Sequence, residues 1–387
     1  MKIKQLLLII ILGTQLVACQ NKKTMTKEQE AKEDAEFDKQ ENIRPNDIWP
    51  TNKNEYGYYY SVGGCSFPNN YAENAGSHFI TDKGGVGFMQ ISNNSWGRAT
   101  TDSGSHHSIP HAFVAQWFAV AENKFYKGAF NLPKDTIQNY FEEMWLRYNA
   151  HSLKYESYRY ERFTDIIMGF APKGVVVVWI QSSGGNALEI GRWKAEEVQV
   201  DWKDFSKYMH MGAGTSQEQF VALSAGDIKG PIPYGKADEY RVKYNWKPKI
   251  EYPFWDKNTE RRKNFVLSYD LFMYNGEVES LYYEHNNKNI FKERGVPKRI
   301  ILIWKSQKGV ELVCEAVFKE EDIYKVYQSL SKTKDEELEL VLKLENDDEI
   351  YSVVLRNKNS EVVLRTSEFE QWKLNELKLG GKPLIEE

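Results

Sequence analysis

One polar segment holds the side chains best suited to chemistry. It reads TDSGSHHSIPH and contains Asp102, Ser103, Ser105, His106, His107 and His111. A serine, a histidine and a carboxylate together can form the catalytic triad of a hydrolase, and three histidines can bind a metal ion. Triads are assembled in space from separate elements, however, and adjacent strand residues point to opposite faces. The segment therefore predicts a polar loop before a strand, with a hydrolase that uses Ser105 and His106 as the alternative.

No other motif indicates an enzyme. The chain has no G-x-S-x-G elbow, no H-E-x-x-H pair, no phosphate-binding loop and no calcium loop. The glycines of HMGAGTSQ, at positions 212 and 214, lack the strand–turn–helix context of a dinucleotide site. We therefore expect no catalytic residue, no metal site and no cofactor.

The composition bounds the class of protein. The chain has 387 residues, a net charge of −4, 14% aromatic residues and three cysteines. This length suits two domains, and so few cysteines cannot form a disulfide scaffold. The near balance of charge argues against a nucleic-acid partner, because counterion release needs clustered cations.

The N-terminal segment predicts where the protein resides. Residues 1–18 combine a basic start with a short apolar run, which is a secretion signal and is too short to cross a bilayer. The segment ends in LVAC, which resembles the lipobox of bacterial lipoproteins and predicts a lipid on Cys19. Residues 19–46 are charged and almost free of aliphatic residues, so we expect a flexible tether. Positions 20–23 lack the residues that resemble retention or surface-export signals, which predicts an outer-membrane lipoprotein facing the periplasm.

One pattern occurs twice in the rest of the chain. Ile109-Pro110 and Val296-Pro297 each precede a strand that ends at a tryptophan, Trp117 or Trp304. A turn, a second strand and a helix follow in both places, and two or more further strands come after the helix. We expect a mainly β fold with α+β character: two tandem antiparallel sheet or sandwich modules, each with one packed helix. The predicted modules are residues 47–228 and 255–387, joined by a Pro-rich linker at 229–254, and the second is interpreted as a possible diverged repeat.

Cysteines and aromatic residues have a structural and a functional interpretation. Cys65 and Cys314 lie in different modules, which favours two buried free thiols over a disulfide. The tryptophans at strand ends are expected to fill cores, whereas for residues 56–60 core and exposed face both stay open. The segment YESYRYERF is too polar to be wholly buried, and tyrosine and arginine are enriched at protein interfaces. It predicts a contact surface formed by Tyr155, Tyr158, Arg159, Tyr160 and Arg162.

The first module resembles the domain of unknown function 2931 family of bacterial lipoproteins. The resemblance is carried by residues 109–117, by FYKGAFNLP (125–133) and by APKGVVVVWI (171–180), and covers roughly residues 47–225. Residues 255–387 keep the Val-Pro and tryptophan strand but lose the KGxFxLP pattern. The resemblance implies an envelope lipoprotein without an assigned reaction, and the position of some relatives beside secreted toxic effectors suggests immunity or binding roles.

Together these patterns favour a lipid-anchored protein that binds a periplasmic protein partner. The more specific hypothesis is that this partner is a toxin and that the protein provides immunity to it. The alternatives are the hydrolase described above and a structural component of the envelope.

Overall fold

The computed structural model describes residues 53–102, 104–148, 158–182, 185–209, 215–251, 266–282, 290–306, 310–333, 335–346 and 349–373. The predicted signal segment, the predicted lipidation site Cys19 and the predicted tether lie outside the described residues. Within them, no helix combines the length and the apolar character that crossing a bilayer requires.

Strands predominate in both halves of the described chain, which confirms the predicted mainly β fold. The strands of the first half are β1 (Lys53–Asn54), β2 (Gly57–Ser66), β3 (Ala72–Asn74), β4 (His78–Thr81), β5 (Gly84–Gly87), β6 (Ile91–Ser92), β7 (Ser105–His107), β8 (Ala112–Ala119), β9 (Lys124–Asn131), β10 (Trp145–Tyr148), β11 (Tyr158–Glu161), β12 (Phe163–Ala171), β13 (Val175–Ser182), β14 (Ala187–Lys194) and β15 (Glu196–Val198). Those of the second half are β16 (Tyr244–Glu251), β17 (Val266–Met273), β18 (Val278–Tyr282), β19 (Lys292–Arg294), β20 (Pro297–Lys305), β21 (Glu311–Phe318), β22 (Leu338–Asn346), β23 (Glu349–Arg356), β24 (Glu361–Val363) and β25 (Thr366–Lys373). The α-helices are α1 (Lys134–Glu142), α2 (Trp202–Tyr208), α3 (Gln217–Ser224), α4 (Lys236–Glu239) and α5 (Glu320–Leu330).

The first half forms a sandwich of two sheets. One sheet has the order β15-β9-β8-β4-β5 and the other contains β2-β12-β13-β14. Strand β13 reads VVVVWIQS because it is buried on both faces. Val176, Val178 and Ile180 lie in the core between the two sheets, whereas Val177 and Trp179 belong to a core shared with the second half.

The second half repeats the order of the main strands of both sheets. Its sheets run β18-β17-β20-β21-β25 and β19-β16-β22-β23-β24. Each half has one equivalent parallel pair, β2 with β12 and β16 with β22, because a long excursion through a hairpin and a helix separates the two strands. In the first half the short strand β6 also pairs with β2 in parallel. Each half also has the predicted helix after its second hairpin strand, α1 or α5, while α2, α3 and α4 are additional.

The repetition extends to individual hydrogen bonds. In the first half the Tyr60 hydroxyl donates to the Ser108 carbonyl oxygen at 2.9 Å. In the second half the Trp246 indole N–H donates to the Gly295 carbonyl oxygen at 3.0 Å. Both bonds tie the first strand of a sheet to the residue that precedes the Ile-Pro or Val-Pro pair. The same register therefore recurs about 187 residues further along the chain, as the positions of Ser108 and Gly295 show.

The two halves share one sheet. Strand β14 pairs with β18 through a single residue pair, Ala187 with Val278, so the sheet of the first half continues into the second. Strand β16 lies inside residues 229–254, the range predicted as linker, and is the first strand of the second repeat. The interface also brings the backbones of Gly97 and Gly276 into close approach.

The buried aromatic and cysteine residues follow the predictions. Trp117, Trp179 and Trp304 are fully buried, which confirms that the tryptophans at strand ends fill cores. Cys65 and Cys314 are free and buried, and burial raises the pKa of each thiol to about 12. Such thiols are protonated at neutral pH and unreactive.

Within the 56–60 run the side chains divide between core and surface. Tyr58 and Tyr60 are buried, whereas Tyr56 and Tyr59 are exposed. The run therefore contributes both to a core and to an exposed face. Within β2 the side chains of Tyr58, Tyr59 and Tyr60 alternate between the two, as expected of a strand, whereas Tyr56 precedes the strand.

Candidate functional site

The Ser105–His107 segment forms strand β7, which pairs with β2. The Ser105 hydroxyl lies 2.5 Å from Nε2 of His107. His106 points to the opposite face, where its ring packs against Tyr59 with centroids 5.3 Å apart. The serine is thus brought to His107 and not to His106, the histidine named for the alternative hydrolase, because residues two apart on a strand share a face.

The remaining members of the segment do not complete a catalytic relay. Burial, and then the neighbouring His106, lower the pKa of His107. His111 lies 3.3 Å from Asp82, which forms an ion pair with Lys134, so this histidine belongs to a separate polar group. Among the described residues no carboxylate hydrogen-bonds to His107, and no cluster of three histidine, cysteine or acidic side chains could hold a metal ion.

A second candidate site is a cleft of about 280 Å³ where β14 and β18 diverge beyond their single pair. It lies between the two repeats. Apolar and charged side chains both line it, from the end of α1, the start of β12 and the strands β14, β18 and β19. The principal lining residues are Tyr140, Glu143, Phe163, Asn186, Leu188, Lys243, Glu277, Glu279, Ser280, Leu281, Lys292, Glu293 and Arg294.

A buried ion pair forms one wall of the cleft. Arg294 is 1% exposed, and its Nε lies 2.7 Å from a carboxylate oxygen of Glu279, which Lys292 also approaches to 2.6 Å. The Arg294 guanidinium also donates to the carbonyl oxygens of Trp246 and Ile290. Burial alone would raise the pKa of Glu279, but the charges of Arg294 and Lys292 outweigh it and lower that pKa. The wall therefore carries fixed charges at neutral pH.

Side chains replace backbone hydrogen bonds on either side of the single strand pair. The side-chain carbonyl oxygen of Asn186 accepts from the backbone N–H of Ser280 at 2.8 Å. The carboxylate of Glu277 accepts from the Glu189 N–H and pairs with Lys243 at 2.8 Å. The amide nitrogen of Asn186 is buried without a hydrogen-bond partner in the structure.

The predicted contact surface lies beside this cleft. Tyr158 and Tyr160 belong to β11, which forms a two-stranded ladder with β10 alone. Strand β10 lies next to β18, and β11 leads through Arg162 directly into Phe163 in the cleft wall. Arg159 is in the same ladder, opposite Arg147, while Tyr155 lies outside the described residues. Burial lowers the pKa of Arg162. The structure thus places four of the five predicted residues in one segment next to the cleft.

The sequence interpretation missed Glu279, Lys292 and Arg294. The internal repeat was the available signal, because Lys292–Arg294 precedes Val296-Pro297 just as Ser105–His107 precedes Ile109-Pro110. Register confirms the match, since Tyr58 pairs with His107 and Tyr244 pairs with Arg294.

These features define a β-sandwich repeat protein with a charged cleft between its repeats, and among the described residues no carboxylate hydrogen-bonds to the His107 of the Ser105–His107 pair. The chain belongs to the family described as Protein of unknown function (DUF2931), whose model matches residues 40–235. This confirms the family inferred from the sequence of the first module. No curated protein and no solved structure matches the chain. The second repeat, from β16 onward, lies beyond the matched residues and has the same topology.

Proposed function

We propose that this chain is a lipid-anchored envelope protein that faces the periplasm, has no enzymatic activity and binds a protein partner through the β10–β11 ladder and the adjoining cleft. The observation that carries the proposal is the isolation of this ladder from the three larger sheets of the described chain. A two-stranded ladder is marginally stable in water by itself. A partner that packs against the ladder would therefore stabilise both of its strands.

The composition of the ladder supports binding. Its strands read WLRY and YRYE, so tyrosine, tryptophan and arginine supply six of the eight residues. These are the residue types that contribute most to binding energy at protein interfaces. The cleft beside the ladder adds the charges of Glu279 and Lys292, which give a partner polar groups to recognise. In the specific version of the proposal, the partner is a toxin that reaches the periplasm and the protein acts as its immunity factor.

The contact surface is tested by replacing Tyr158, Arg159 and Tyr160 together with alanine. We expect recovery of the partner from periplasmic extracts to fall by about 30-fold or more, because interface hot spots contribute 2 kcal/mol or more each. The matched control combines Ser105→Ala with His106→Ala and should recover the partner at the wild-type level. Retention of the partner by the triple variant, or the absence of any stable partner of the wild type, would contradict the proposal.

Membrane attachment is tested through Cys19. The variant Cys19→Ser lacks the thiol that carries diacylglycerol, so we expect the protein to leave the membrane fraction or to remain unprocessed. Each lipid CH₂ contributes about 0.8 kcal/mol, so losing two or three chains removes the anchor. Fractionation followed by immunoblotting measures this, with Cys65→Ser as the control that should stay in the membrane fraction. Membrane fractionation of Cys19→Ser at the wild-type level would refute lipid anchoring.

One observation favours a hydrolase as the second candidate. The Ser105 hydroxyl and His107 Nε2 are at hydrogen-bond distance, and both lie on a surface strand. A serine nucleophile is activated by such a base, but the base is normally oriented by a third group. If Ser105→Ala abolishes the phenotype that the wild-type protein confers on the cell while partner recovery is unchanged, the result would favour a hydrolase over a binding protein.

A further inference from the structure

Comparison of the two repeats reveals a difference at equivalent sheet edges. In the second half the edge is covered by another strand, and in the described part of the first half it is open. Strand β18 is covered by β14, through the pair Ala187 with Val278. Its equivalent in the first half is β5, the last strand of its sheet. Among the described residues no strand pairs with the outer edge of β5.

The equivalence holds residue by residue. Phe113 and Ile300 are equivalent, because each lies three residues after the proline of its repeat. Phe79 pairs with Phe113, and Leu271 pairs with Ile300. Phe79 and Leu271 are therefore equivalent as well. Continuing this register, Gly85 pairs with Ile80 as Val278 pairs with Phe272. Gly85 therefore occupies the position of Val278.

Gly87 in turn occupies the position of Ser280. His78 pairs with Gly87 in the first half, and Asp270 pairs with Ser280 in the second. The backbone N–H of Ser280 points away from its own hairpin and donates to the side chain of Asn186. The N–H of Gly87 has the same place in its hairpin, so it is the donor that a new strand would meet.

We propose that the outer edge of β5 binds an extended strand of a partner protein, added as β14 is added to β18. The proposal rests on the partner-binding function but concerns a separate surface. The expected strand has a side-chain amide acceptor followed by a small residue, as Asn186 and Ala187 provide at the junction. Backbone hydrogen bonds supply the affinity in this mode of recognition, and side chains supply the specificity.

The edge lacks two of the features that commonly protect a sheet edge against strand addition. Exposed sheet edges are commonly blunted by charged residues or proline. Gly84–Gly87 contains neither, and its three glycines are exposed. The strand β24, which corresponds to β14 in the second repeat, begins with Glu361, paired with Lys343 and Arg356. In a second copy of this chain, β14 is itself already paired with β13 on one side and with β18 on the other, which favours a strand from another protein.

The edge is tested with a synthetic peptide of sequence GNALEIGRWK, which copies residues 185–194, and the purified full chain. We expect the peptide to bind and to protect the Gly85 and Gly87 amides from hydrogen exchange. Gly87→Pro removes the outward N–H and should weaken binding by about tenfold or more, because one backbone donor is lost and the proline ring obstructs the edge.

Gly87→Ala is the matched control, since it keeps the N–H. A β-carbon at this position would meet its nearest atoms at 3.7 Å, an ordinary contact, so affinity should stay within about threefold of wild type. Equal binding by Gly87→Pro and wild type, or no binding of the peptide by wild type, would overturn the proposal while leaving partner recovery through the β10–β11 ladder intact. Concentration-dependent self-association that Gly87→Pro abolishes would identify a second copy as the occupant and would also overturn it.

Discussion

Replacing Arg294 with methionine is expected to lower the free energy of unfolding by about 3–5 kcal/mol, because removing one partner of a buried ion pair leaves an uncompensated charge. Arg294 is almost fully buried, and its guanidinium contacts Glu279 and two backbone carbonyl oxygens. Urea unfolding at neutral pH measures the change. The matched control is Arg241→Met, which removes an arginine from a more exposed pair with Glu189 and should cost no more than about 1 kcal/mol.

The effect of Arg294→Met depends on pH in a defined direction. The pKa of Glu279 is lower in the folded protein than its ordinary value of 4.5, so the carboxylate stabilises the fold above that pH. This contribution is lost as the pH falls through the folded-state pKa. The stability difference between wild type and Arg294→Met should therefore be largest near neutrality and shrink below pH 4.5. A difference that stays constant across this range would show that the charge pair is not its cause.

Replacing Gly97 with alanine is expected to lower the free energy of unfolding by about 2–4 kcal/mol, from backbone strain and overpacking together. Gly97 has a φ of +81°, which side-chain-bearing residues rarely adopt. A β-carbon there would also lie 2.4 Å from the Cα of Gly276 in the other half. Because Trp96 packs edge-on against Trp179 next to this contact, tryptophan fluorescence should change as well.

Gly226→Ala is the control for Gly97→Ala. A β-carbon at Gly226 would meet no atom within 4 Å, and its φ is not in the left-handed range. We expect denaturant unfolding of this variant to match wild type within about 0.5 kcal/mol. Equal stability of Gly97→Ala and wild type would mean that the two halves do not approach as closely as the structure shows.

Local patterns predicted the elements of this fold well. The proline, the apolar alternation and the terminal tryptophan defined β8 and β20, and helical spacing of apolar residues defined α1 and α5. These signals depend on neighbours in sequence. Strand β16 gave no such signal because Pro248 and three charged residues dominate its sequence, YNWKPKIE. Its assignment as a strand depends on parallel pairing with β22, which lies some 90 residues further along the chain, as Trp246 with Leu338 shows.

The candidate sites were less predictable for the same reason. Sequence proximity suggested Ser105 with His106, but strand geometry places Ser105 beside His107. The cleft depends on where β14 meets β18, and Ala187 and Val278 are distant in sequence. Arg294 stood out in no local motif, and only the comparison of the two repeats connects it to the position of His107.

The double burial of β13 bears on how the chain folds during synthesis. Trp179 and Val177 belong to the core that the second half completes, so the first half presents part of that core before the second half has been made. Domains generally fold as units from the N-terminus during synthesis. The first sandwich would then serve as the template on which the second assembles, and the two would unfold together as one cooperative system.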